Sequence, residues 1–389
     1  MLTRRKVIVC AGPGGVGKTT TSAALALRAA RLGRKTLVMT VDPARRLATS
    51  MGIGTALDEE TRLENASVYA GAPVARGELW ALMLDTKRTF DRLIERHSPN
   101  PEIRERILKH PFYGQLSTAL AGSQEYMAME KLYELWSRKS YDLLVIDTPP
   151  TEHALDFLDA PRRMEDFFDS QALKLILRST RTMGKLGASL FRVNALILKG
   201  VGRFVGAEVF LAILDFLEAM TALSAGFAER SRRVAELLRS DEVGFVVVSS
   251  PENSSVKEAR ALLDRLRAER MSIDAFLLNR VRPVYFGAVG TAEEVESVVL
   301  DRFHQEEALR IFPQDLVQVT AKELAQAVTR YGNLAHHDVR VVRELASAFG
   351  NALPLVAVPY FGRDLHDIDA LREFEQRLAR AAAHEQAPT

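Results

Sequence analysis

Residues Gly12 to Thr19 read Gly-Pro-Gly-Gly-Val-Gly-Lys-Thr. This fits the pattern G-x-x-x-x-G-K-[ST], and it constrains the fold because its flanks fit as well. The apolar run Val7-Ile8-Val9-Cys10 leads in and reads as a buried strand. The run Ser22 to Arg28 leads out and reads as a helix. Strand, glycine loop and helix in that order aim backbone N–H groups and a helix N-terminus at one point, an arrangement suited to a polyphosphate. Gly14, Gly15 and Gly17 let the backbone curl where a side chain would clash. With Val16 they form the expected cradle. Lys18 is placed on the β- and γ-phosphates, and the Thr19 hydroxyl on Mg²⁺.

Further along, short apolar runs alternate with helical patterns. Thr36 to Val41, Leu79 to Leu84 and Tyr141 to Ile146 read as strands, each followed by an aspartate. Val243 to Val248, Ala275 to Leu278 and Leu355 to Val358 read as three more. Strands separated by helices predict an α/β fold with a mostly parallel, doubly wound sheet, whose ligands bind beyond the carboxyl ends of the strands. Asp42, Asp147 and Asn279 stand at such ends. Two stretches, about 87–139 and 161–239, read as helical insertions that form a helical subdomain over one end of the sheet. The expectation is a single domain spanning 1–389, with a frayed tail from Ala379 to Thr389.

Composition narrows the class. The chain has 389 residues, is 47% hydrophobic and carries a net charge of +2. That core content suits a globular enzyme, and the charge argues against a dedicated nucleic-acid binder. A single cysteine, Cys10, rules out an intrachain disulfide and a CxxC metal site. No signal-peptide pattern and no run of 18 apolar residues is seen, so the expected location is the cytoplasm.

Two acidic positions complete the reading. Leu143 to Ile146 ends in Asp147-Thr148-Pro149-Pro150-Thr151. An aspartate there, paired with a glycine phosphate loop, organises Mg²⁺, usually through a metal-bound water. Asp42 precedes Pro43, which cannot continue the strand. It either orients an attacking water or forms an Asp-Pro turn.

Taken together, these segments resemble the ArsA-type ATPases, the deviant P-loop family of the arsenite-pump ATPase and the targeting ATPase for tail-anchored membrane proteins. The resemblance covers nearly the whole chain. It runs through Gly14 to Thr20, Asp42-Pro43-Ala44, Gly122-Ser123-Gln124-Glu125, Asp147 to His153, Ser250-Pro251-Glu252, Asn279 and Val358-Pro359. It implies a Mg²⁺-dependent, ATP-hydrolysing, nucleotide-gated dimer. Asp42 would orient water in switch I, Thr20 would cap the α-phosphate, and Pro359 would pack against the base. Asn279 would read the purine, or else be a turn residue after its strand. The client by this resemblance is a hydrophobic or membrane protein.

The chain also departs from the family. Pro13 stands where relatives carry a lysine that reaches the partner's nucleotide, and proline has neither charge nor donor. Hence the alternative expectation: a low-turnover regulatory subunit that heterodimerises with a lysine-bearing paralogue, rather than an active homodimer. Glu152 replaces a common switch II glycine. No arsenite or zinc site is expected from one thiol, and His336-His337 reads as a helix surface pair. A small-molecule kinase would need an acceptor pocket that the sequence does not reveal. From Ser170 to Ala207 no acidic residue occurs, while Lys174, Arg178, Arg181 and Lys185 lie among apolar residues. This stretch either touches a membrane surface or partner, or packs inward with a basic rim.

Overall fold

The computed structural model describes residues 1–41, 47–48, 51, 59–64, 77–111, 113, 124–148, 166, 215–219, 221, 223–285, 290–305, 312–362 and 367–384. Asp42, residues 149–153, the basic stretch 170–207 and residues 385–389 lie outside the described residues, whereas residues 379–384 of the tail expected to fray are helical.

The chain order is β1 (Val7–Ala11), α1 (Lys18–Arg31), β2 (Lys35–Thr40), β3 (Thr61–Arg62), β4 (Glu78–Met83), α2 (Thr86–His97), α3 (Pro101–Leu108), α4 (Gln124–Arg138) and β5 (Leu143–Asp147). It continues with α5 (Ser224–Arg239), β6 (Val243–Ser249), α6 (Asn253–Ala268), β7 (Ile273–Val281), α7 (Ala292–Gln305), α8 (Gln314–Phe349), β8 (Leu355–Pro359) and α9 (Ile368–His384). The eight strands form one sheet in the order β3-β4-β2-β5-β1-β6-β7-β8. Every pairing is parallel except β3 with β4. The α/β parallel sheet expected from the sequence is therefore present.

The strands are apolar on both faces because both faces are covered. Alternation assigns each residue to a layer. Val7, Val9 and Ala11 face the core shared with α2, α4, α5 and α6. Ile8 and Cys10 face the core shared with α1 and α9. Helix α1 is rich in Ala and Leu and buries nearly its whole length there. Its outer edge is tied to α9 by Arg28 and Arg31, which meet the buried Glu375 at 3.1 and 3.6 Å.

From β1 the chain crosses β5's position to reach β2, while β6 pairs on β1's other side. The loop after β1 therefore sits where the strand order reverses, the crevice in which open α/β sheets bind ligands.

Some elements differ from expectation. β7 begins earlier and ends later than its apolar centre, because Asp274 and Arg280 interrupt the apolar pattern without ending the pairing. Asp274 is instead held by Arg5 at 2.7 Å. The antiparallel edge strand β3 was not anticipated; two residues carry no periodic signal. The 36-residue α8 and its neighbour α7 lie outside both predicted insertions. The His336-His337 pair is not simply a surface feature: both rings are half-buried, and His337 Nε2 lies 3.2 Å from the Pro251 carbonyl.

Candidate functional site

The glycine loop joins the end of β1 to the first turn of α1. Three of its backbone positions explain the residue choice. Gly15 and Gly17 have φ of 75° and 94°, the left-handed region that side chains disfavour. At Gly12 a Cβ would lie 2.0 Å from the Val248 carbonyl oxygen, so only glycine fits against β6. Gly17 is also the N-cap of α1, and no side chain caps the helix there. The first-turn N–H groups are thus left for an external acceptor, at the positive end of the helix dipole. These are the conditions for binding phosphate, and the loop fits one.

Lys18 is only 5% exposed. Its Nζ donates back to the carbonyls of Gly12 at 3.0 Å and Pro13 at 2.7 Å. The ammonium therefore lies inside the curve of the loop. Pro13 itself is buried, whereas Gly14 and Gly15 are exposed. Thr20 is half-buried in the first turn of α1.

Asp147, at the C-terminal end of β5, is fully buried. Two hydroxyls converge on its Oδ2: Thr19 Oγ1 at 2.7 Å and Thr40 Oγ1 at 2.8 Å. The start of α1, the end of β2 and the end of β5 thus meet at one carboxylate. The Val41 N–H reinforces this by donating to the Asp147 carbonyl at 3.3 Å. Thr148 Oγ1 donates to the Cys10 carbonyl at 3.0 Å and fixes the chain leaving β5. Hydroxyl and carboxylate oxygens are the donors a hard cation prefers, so Thr19 and Asp147 fit Mg²⁺. Thr40 was not singled out from sequence; its only cue is a threonine at the tip of β2, beside Asp42.

Asn279, on β7, reaches across the end of β6. It is 5% exposed, and its Nδ2 donates to the Val16 carbonyl at 2.9 Å. The residues after it are held in place: Arg282 pairs with the buried Asp338 of α8 at 3.0 Å, and the Tyr360 N–H donates to the Val281 carbonyl at 2.8 Å. Pro359 lies on the neighbouring strand, exposed at the end of β8. The structure therefore gathers Gly14, Gly15, Val16, Gly17, Lys18, Thr19, Asp147 and Asn279, with Pro359 one strand further out.

Cys10 packs behind the loop. Burial pushes its thiol up to about 12, and the nearby Asp147 charge adds to that. It is an inert core residue in this setting. Among the described residues no group of three or more His, Cys, Asp or Glu side chains forms a metal cluster. Among them, too, no helix is long and apolar enough to cross a membrane.

Comparison with known proteins places this geometry. A family model described as anion-transporting ATPase matches residues 5–286. The chain is 25% identical over 281 residues to the Putative arsenical pump-driving ATPase 1 of Aquifex aeolicus, covering 72% of this chain and 64% of that one. It is 26% identical over 276 residues to the ATPase GET3 of Malassezia globosa, covering 71% and 72%. With the ATPase ARSA1 of Chlamydomonas reinhardtii it shares 26% over 305 residues, 72% of this chain but 35% of that protein. The match thus spans less than two thirds of the first and third of these relatives. A match over residues 5–286, carrying the glycine loop, Asp147 and Asn279 together, shows that the chain belongs to the ArsA-type family of anion-transporting ATPases.

Proposed function

We propose that this chain binds and hydrolyses ATP with Mg²⁺ and works as a nucleotide-gated dimer. The observation that carries the reading is the shared Asp147 carboxylate, where Thr19 of the phosphate loop and Thr40 of β2 both donate. Thr19 Oγ1 would hold Mg²⁺ directly and Asp147 through water. The ion supplies positive charge against the phosphate oxygens. Lys18 would bind the terminal phosphates, the loop amides the rest, and Thr20 the α-phosphate. Asp42 follows Val41, whose N–H is bonded to Asp147, and we assign it the orientation of the attacking water. Asn279 and Pro359 would receive the base. A terminal phosphate bridging the segments after β2 and β5 would then move the helical layer. By the family resemblance we infer a cytoplasmic protein with a hydrophobic or membrane-protein client.

Calorimetry and steady-state turnover test this reading. Lys18→Ala is expected to lose most MgATP affinity. Asp42→Asn is expected to bind but not turn over. Unchanged binding in the first rejects the site, and wild-type turnover in the second rejects the role of Asp42.

One observation favours a second reading, a low-turnover regulatory subunit paired with a lysine-bearing paralogue. Pro13 is buried and offers only a carbonyl, to Lys18. A cation on developing phosphoryl charge contributes roughly 10³-fold or more in rate. Turnover of wild type, Pro13→Lys and a mixture with the paralogue separates the two. A wild-type homodimer as fast as the others removes the regulatory reading.

A further inference from the structure

A separate cavity of about 440 Å³ opens at the C-terminal end of β4, under α2 and α4. It shares no residue with the phosphate loop, and β2 and β5 lie between β4 and β1. Leu82 and Leu84, which face this layer, line its base, and its walls are charged. The volume is that of a small-molecule site.

Among the described residues that line it, the charges do not cancel. Arg88 is matched by Glu59 at 2.6 Å and Arg138 by Glu60 at 2.8 Å. Asp85 serves as the N-cap of α2 and accepts the Arg88 N–H at 2.9 Å. That leaves Glu134 to answer Lys131 at 3.3 Å and Arg96 at 3.6 Å, with Arg138 bonded to it as well. Arg92, one turn from both Arg88 and Arg96 on the same face of α2, lines the cavity and has no acidic partner among the described residues. Lys131 is almost fully buried beside it, so water compensates its charge poorly. Partly buried guanidinium and ammonium groups around one overcommitted carboxylate attract an anion, and an arginine fork suits a planar or tetrahedral oxyanion.

We propose that this cavity is a second ligand site, distinct from the nucleotide site, for a small molecule carrying a phosphate or carboxylate group, with Arg92, Arg96 and Lys131 as its anion-binding residues. The α2 stripe Arg88, Arg92 and Arg96 faces the cavity because residues four apart share a helix face. The apolar floor from β4 would take the uncharged body of the ligand.

The test is calorimetric titration of the full chain, saturated with MgADP, with inorganic phosphate and separately with citrate. Wild type is expected to bind at least one of them in the millimolar range or tighter. Phosphate alone binding identifies a phosphate ligand, and citrate alone a carboxylate ligand. Arg92→Gln should weaken binding about tenfold or more, the loss of a charge-assisted hydrogen bond, with Arg92→Lys intermediate and MgADP affinity unchanged. Arg96→Gln, at a more exposed position, should weaken it too and guards against a folding defect in the first variant. Lys18→Ala, titrated without nucleotide, should still bind the anion. Three results overturn the proposal: neither anion binds wild type, both glutamine variants bind as wild type does, or Lys18→Ala abolishes binding and so returns it to the phosphate loop.

Discussion

The phosphate loop and the charged helical layer over β4 are built on opposite principles. In the loop the backbone does the holding. Left-handed glycines and a close approach to β6 set its shape, and two side chains brace its carbonyls, Lys18 on Gly12 and Pro13 and Asn279 on Val16. In the layer formed by α2, α4 and α5, side chains hold the structure through buried charge. Arg230 of α5 donates to Glu130 of α4 at 2.7 Å, and Glu130 also accepts from Tyr126 Oη at 2.6 Å. Glu130 is only 2% exposed. A backbone-shaped site tolerates change at few positions but keeps its shape without outside partners. A charge-built layer depends on each partner being present and correctly protonated.

The contrast breaks most visibly at Glu130. Glu130→Ala leaves Arg230 partly buried and Tyr126 without its acceptor. We expect a loss of about 3 kcal/mol, the lower end for a broken buried pair because Arg230 keeps some solvent contact. Denaturant unfolding measures it, and nucleotide affinity should not change. If affinity falls in parallel with stability, the two regions are one cooperative unit and the comparison fails.

The reciprocal change is Gly12→Ala. Its Cβ would press on the Val248 backbone, so the loop must move. A displacement of about 1 Å costs roughly 10²-fold in turnover. Because the atom met is β6 backbone, the melting temperature should fall too, but the turnover loss should persist at temperatures where the variant is fully folded. Near-normal turnover would show that the loop is not shaped by this contact.

A smaller effect separates the regions by pH. Burial, then the Arg230 charge, hold the His97 imidazole below its usual value, with Arg96 acting the same way and Glu130 opposing. As pH falls through about 6.5 the unfolded chain takes up this proton first. Stability from this group is therefore full above that pH. It declines as pH drops toward the depressed folded value, by at most about 1.4 kcal/mol per pH unit. Stability curves of wild type and His97→Gln should converge in acid. Parallel curves would mean that His97 is not held neutral. The smallest effect belongs to Cys10: in the folded protein iodoacetamide should leave it unlabelled at pH 8, and labelling should become complete in denaturant. Rapid native labelling would show that the strand behind the loop opens.

The same contrast explains what could be read from sequence. The loop is contiguous, so Gly12 to Thr19 declare its geometry directly, and Asp147 ends a continuous apolar strand. Contacts made across the fold left no local trace. Asn279 was legible only as a polar residue at a strand end; its contact with Val16, across 263 residues, follows from no spacing rule. Thr40 is an ordinary strand residue until β5 brings Asp147 beside it. Helix α8 escaped notice because several positions it buries are small, Ala321, Ala325, Gly332 and Ala335, and give a faint apolar stripe. The cavity over β4 was invisible for a related reason. Its charges lie on α2, α4 and the segment before β3, and each alone looks like a solvated helix face.

The hydrogen bonds from Lys18 to Gly12 and Pro13 have a consequence for affinity. Those two carbonyls take two of the ammonium's three donors and fix its place inside the curve of the loop. A lysine braced by backbone in this way has few rotamers left to lose when it meets a phosphate oxygen. The entropy of ordering that long side chain then falls on folding rather than on binding.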